Sequence, residues 1–320
     1  MSQHWAKTEE AGALIGMRFM IWLDSVVGGW VFNVVLFLPV AYFFIHRAES
    51  RRASLKFLSL VKQRYPEALD RGPLLWHSLR QLYSFGISLR DKYRAWIENP
   101  ADIEMEPDEE KILFDAVAED RGCLLIGSHF GNLEYCRGIA HRHPSLTINV
   151  LVYDQHAKKF AALIERADPD SRMNLIQVTD VDIKLALKLN AKIHDGEWVI
   201  IAGDRVPVGH SDRVCEALFF GRSARFPIGP YVLATLLRCP VYLLHCFRLN
   251  DRYRLVMERF EEEIRLPRDG RREAYNRYAQ KFAAALEAQV ACEPLQWFNF
   301  YDFWATPVSA VPQSLPSDPQ

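Results

Sequence analysis

The 320-residue sequence has six cysteines, but no C-x-x-C pair and no cysteine–histidine group at zinc spacing. Cys123, Cys136, Cys215, Cys239, Cys246 and Cys292 are scattered. They read as reduced core or near-core thiols of a cytosol-facing protein, which excludes a disulfide framework and disfavours a structural metal. There is no H-E-x-x-H, and no G-x-G-x-x-G follows a first strand, so zinc hydrolysis and dinucleotide chemistry lack their motifs. A nucleophile elbow G-x-S-x-G is also missing, because GSHFG places Ser128 directly after Gly127. The net charge of −1 argues against a nucleic-acid coat protein. With 49% hydrophobic and 25% charged residues, the chain has the composition of one large α/β core or two smaller ones rather than of a disordered protein.

Ser25 to Ile45 contains no charge at all, a run long enough to cross ~30 Å of hydrocarbon as a helix. It starts too late and runs too long for a cleavable signal. Trp22, Trp30, Tyr42, Phe43 and Phe44 flank it, and HRAESRR follows, which predicts a membrane element with its C-terminal side in the cytoplasm. Gly28–Gly29 and Pro39 leave open a broken pair of helices in one leaflet. From His46 to Arg94 there are eleven Lys/Arg against four acidic residues, so the next segment is cationic and reads as amphipathic helices.

Strands and helices then alternate. CLLIGS (Cys123 to Ser128), TINVLVYD, NLIQV, EWVIIAGD, CPVYLLHCFRL and RYRLVMERF read as strands, and RREAYNRYAQKFAAALEAQVA as a long helix. The pattern predicts an α/β fold with a largely parallel sheet flanked by helices, whose active groups collect at the carboxyl ends of strands. His129 and Asp204 both fall there. In GSHFGNLE, Gly131 loosens the turn, Asn132 is a helix-cap type and Glu134 falls in a first helical turn, close enough to fold back on His129. The expected organisation is an anchor over 1–45, a basic helical region over 46–115, an α/β domain over 116–304 and a Pro/Ser-rich disordered tail over 305–320.

HFGNLE, GDRVPVG, FFGRSARFPIGPYVLA, CPVYLL and PLQWFNFYDFW, in that order, resemble the lysophospholipid acyltransferase superfamily in its lipid A late acyltransferase branch. The likeness is closest to predicted acyltransferases of aryl polyene-type lipid pathways, and it covers most of the chain. It implies a glycerol-phosphate acyltransferase-like fold. It also implies a thioester donor (acyl carrier protein or coenzyme A) with no cofactor, a membrane lipid or glycolipid acceptor, and a place at the inner membrane facing the cytoplasm. The glycerol-phosphate branch carries an F-P-E-G-T-R-like block where this chain has FPIGPY, which argues against a small glycerophosphate acceptor.

Acyl transfer of this kind needs a base for the acceptor's proton and no protein nucleophile. His129 is then the base, and Glu134 its orienting acid. The backbone amides of Gly131 and Asn132 are candidate oxyanion donors. Asp204, Arg205, Arg222 and Arg225 are candidate substrate-binding residues, with positioning of the catalytic loop or a structural ion pair as the alternatives for Asp204–Arg205. His156, Lys158 and Lys159 read as a solvated helix start. Trp297, Phe298, Phe300 and Trp304 read as core packing or an acyl-chain groove. The alternatives are an α/β hydrolase or thioesterase and a non-catalytic lipid-binding protein.

Overall fold

The computed structural model describes residues 29–97, 103–119, 121–143, 145–152, 173–178, 183–207, 212–250 and 252–304. The first 28 residues of the expected anchor, His156, Lys158, Lys159 and the 305–320 tail lie outside them.

Seven strands form the main sheet. They are β1 (Ile103–Glu104), β2 (Leu124–Gly127), β3 (Ile148–Val152), β4 (Met173–Gln177), β5 (Trp198–Ala202), β8 (Val241–Leu249) and β9 (Arg252–Glu261), in the order β1-β9-β8-β2-β5-β3-β4. Only the β8–β9 pair is antiparallel. All four residues of β2 are buried because it is the middle strand, with helices on both sheet faces. Side-chain alternation divides the core. Leu124, Ile126, Val199, Ile201 and Leu243 point into one layer, while Leu125, Trp198, Ile200, Tyr242 and Leu244 point into the other.

A second sheet, β6 (Val214–Phe219) with β7 (Arg222–Pro227), is an antiparallel hairpin. Its two-residue turn, Phe220–Gly221, has φ of 49° and 73°, the conformation that suits the twist of the strands it joins. The first core layer is covered by this hairpin together with α2 (Ala48–Arg64), α6 (Ile183–His194), α7 (Gly229–Leu237) and the 22-residue α8 (Arg271–Cys292). On the opposite layer lie α4 (Pro107–Ala118) and α5 (Arg137–Arg142).

The helix α1 (Gly29–His46) runs through Pro39 without a break, so the alternative of two helices split at that proline does not hold. The break comes after His46, where α1 and α2 meet at 93°. Among the described residues no single helix is long and apolar enough to cross a membrane, although this bent pair passes the same test together. Phe32, Leu36 and Val40, at helical spacing, pack against Ile87 of α3 (Leu74–Ile97). On the other side Trp30, Val34, Leu38 and Tyr42 form an exposed apolar stripe.

Five of the six cysteines are buried free thiols, and Cys292 is exposed. Trp297 and Phe298 are buried and the half-buried Trp304 packs against Trp297, so these three are core, while the half-buried Phe300 packs on Phe85 of α3.

Candidate active site

β2 and β5 are parallel neighbours in register, with Gly127 opposite Ala202, and they leave the sheet side by side. The Gly203 amide still donates to Gly127 O (2.8 Å) beyond the last ladder pair. That shared exit places His129 and Asp204, 75 residues apart, in direct contact. His129 Nδ1 lies 2.8 Å from Asp204 Oδ1, and the His129 backbone N–H donates to Asp204 Oδ2 at 3.0 Å. Asp204 is fully buried, whereas the His129 side chain keeps 37% of its surface open.

The electrostatics keep this pair as carboxylate and neutral imidazole. Burial and the nearby Arg205 charge lower the His129 pKa, Asp204 raises it, Lys92 lowers it again, and the net direction is down. The open edge of the ring retains hydration, which limits the effect of burial. For Asp204, burial works upward, but His129, Arg205 and the hydrogen bonds from His129 outweigh it and bring the carboxyl below its ordinary value.

The turn after His129 is held at every amide. Phe130 N donates to Ser128 Oγ (3.3 Å), Gly131 N to Gln296 O (2.9 Å) and Asn132 N to Cys246 O (2.6 Å). Gly131 and Asn132 are therefore not oxyanion donors in this arrangement, because both N–H groups are already committed to backbone carbonyls. Gly131 is required here. It has φ of +70°, and a Cβ added to it would lie 2.0 Å from Cys246 O.

Glu134 is not the partner of His129. Leu133–Cys136 forms a short 3₁₀ turn rather than the start of an α-helix, and the Glu134 carboxylate turns to Lys92 Nζ on α3. The bonds of Gly131 and Asn132 to Gln296 and Cys246 pull the chain away from the course that folding back on His129 would need. Asn132 completes the link. With its amide oriented to satisfy both ends, its oxygen accepts from Lys92 N (3.1 Å) and its nitrogen donates to Glu134 Oε2 (3.0 Å). Gln81, Phe85, Ser88 and Lys92 recur at helical spacing, so α3 turns one face toward the site and another toward α1.

Arg205 lies beside the pair, its Nε donating to Asn299 Oδ1 (3.2 Å) and one Nη to Phe298 O (2.5 Å). Arg222 and Arg225 are on the hairpin and make no hydrogen bond or ion pair with His129, Asp204 or Arg205. Sequence reasoning passed over His245. It is fully buried on β8, with Nδ1 3.4 Å from Ser128 Oγ. Burial, opposed only by Asp204, lowers its pKa to about 4. A histidine inside an apolar strand is the signal that was available.

A buried carboxylate on a half-open imidazole, at adjacent strand ends, is general-base geometry. The family model for bacterial lipid A biosynthesis acyltransferases matches residues 40–306. The chain belongs to that family. This acyltransferase therefore takes an acyl donor and a lipid acceptor. No curated protein matches it at a significant level. The matched span begins within α1 and ends just past Trp304, so it takes in every residue of the site described above.

Proposed function

We propose that the acyltransferase moves a fatty or polyene acyl chain from a thioester, on acyl carrier protein or coenzyme A, to a hydroxyl or amine of a membrane lipid or glycolipid. In this reading His129 is the general base and Asp204 its orienting acid. The observation that carries it is the two-point hold of Asp204 on His129. With Nδ1–H donated to Asp204, Nε2 keeps its lone pair for the acceptor. As the acceptor oxygen (or amine nitrogen) attacks the thioester carbonyl, Nε2 takes its proton and the new C–O (or C–N) bond forms. The tetrahedral intermediate then expels sulfur, and the imidazolium returns the proton to the leaving thiolate. Asp204 stays ionised and stabilises the imidazolium between the two steps. Ser128 is 3% exposed with its Oγ under the turn, which disfavours a hydrolase route through a serine nucleophile.

The exposed stripe of α1 and the basic residues after it support a position on the cytoplasmic face of the inner membrane, with the lipid acceptor drawn from the bilayer. The cationic 46–94 segment suits an acidic carrier protein as donor.

The test uses the full chain in detergent, with dodecanoyl thioesters of carrier protein and of coenzyme A and a lipid A precursor as probes. His129→Ala should abolish transfer, and Asp204→Asn should lower kcat by on the order of 10²–10⁴. Ser128→Ala should keep most of it. Full transfer by a folded His129→Ala protein, or an acyl-serine trapped at Ser128, would overturn the reading.

A further inference from the structure

Residues Gln296 to Asn299 cross the His129 turn as a strap. Gln296 O accepts from Gly131 N, Phe130 and Trp297 form an antiparallel bridge, and Phe298 N donates to His129 O at 3.2 Å. The strap is itself held at two further points. Gln81 Nε2 donates to Trp297 O (2.8 Å), and the Gln296 amide pairs with both backbone groups of Arg248. Phe298 is the junction. Its N–H serves His129, and its carbonyl accepts from Arg205.

We propose that Arg205 is a positioning residue for acyl transfer: by clamping Phe298 O and Asn299 Oδ1 to the end of β5, it locks the strap and the His129 turn together. This rests on the reading of His129 as the base. Two consecutive residues then hold His129 at both ends of its backbone. Asp204 takes its N–H and its ring directly, and Arg205 fixes its carbonyl through Phe298. The planar guanidinium suits two acceptors at once, whereas a lysine ammonium on a flexible stem does not reproduce that fork. The clamp commits Nε and one Nη of Arg205 to the strap. Its charge has a second effect, since Arg205 and Lys92 lower the His129 pKa against the opposing pull of Asp204, and burial acts in the same direction as the two cations.

The experiment compares Arg205→Met, Arg205→Lys and Asn299→Ala with wild type, using dodecanoyl carrier protein and a lipid A precursor. A base displaced by about 1 Å costs on the order of 10²-fold. Arg205→Met should therefore lower kcat by ~10–100-fold with KM within about twofold, and the acid limb of kcat/KM should move to higher pH because a depressing charge is gone. Arg205→Lys should lose kcat with the acid limb unmoved, and Asn299→Ala should show a smaller kcat loss. Arg252→Ala, which breaks an exposed ion pair with Glu104 away from the strap, should leave kcat unchanged. If Arg205→Met does not fold, the other two variants decide, and unchanged kcat in both overturns the clamp. A raised KM at normal kcat in Arg205→Met overturns it too, by making Arg205 a substrate contact. An active His129→Ala would sink the underlying reading, whereas an inactive His129→Ala beside normal Arg205 variants would sink only the clamp.

Discussion

Glu134 pairs with Lys92, and Lys92 is one of the two cations that lower the basicity of His129. The Glu134 carboxylate thus stands opposite one of the charges that bear on His129, the proposed base. Glu134→Gln should leave the ammonium unopposed, so the acid limb of kcat/KM moves to lower pH and kcat falls by ~10-fold, less than in Asp204→Asn. Lys92→Met in the same chain should restore most of the loss, a coupling that a double-mutant cycle measures directly. If Glu134→Gln were as inactive as His129→Ala, with no recovery on losing Lys92, Glu134 would itself be oriented on His129 in the working enzyme.

His245 makes stability depend on pH. Its folded pKa of about 4 lies below the ordinary 6.5, so between those values the unfolded chain binds the extra proton. The contribution of neutral His245 is present above pH 6.5 and is lost on acidification, at roughly 1.4 kcal/mol per pH unit. His245→Phe removes this titration. Urea midpoints at pH 7, 6 and 5 should fall less steeply for the variant than for wild type, and parallel declines would count against a buried neutral His245.

The exposed stripe of α1 should be what holds lipid. Trp30 is 75% and Leu38 71% exposed, and Phe43 is exposed as well. Each large apolar side chain moved out of water contributes about 1.5–3 kcal/mol. Replacing all three with serine should then lower co-sedimentation with anionic phospholipid vesicles by two orders of magnitude or more, roughly. Undiminished sedimentation would place the lipid contact elsewhere.

The strand that presents His129 was legible in the sequence because Cys123 to Gly127 is an unbroken apolar run, and only a middle strand is buried on both faces. Asp204 was legible as an acid at a strand end, but its partnership was not. β3 and β4 lie between β2 and β5 in the chain, yet β5 is the spatial neighbour of β2, and strand order leaves no mark on local spacing. The five-residue step from His129 to Glu134 gave a nearer candidate. That step misled because Gly131 and Asn132 are bonded to Gln296 and Cys246, contacts made from far along the chain. Arg205 reads in the sequence equally as a substrate contact, a support of the catalytic loop or half of a structural ion pair, and nothing in GDRVPVG shows which acceptors on the strap it takes. The FFG turn between Phe219 and Gly221 was visible, although the two strands it joins were not.

The strap has a consequence for the order in which the protein becomes active. Its residues are 296–299, while the histidine it holds is residue 129 and the apolar helix begins at 29. During synthesis the apolar helix emerges before the sheet-centre strand, and the His129 turn cannot be fastened until nearly the whole described chain has been made. A nascent or prematurely ended chain therefore carries the His129 turn unfastened, and the proposed base gains its working geometry only once the last aromatic stretch is in place.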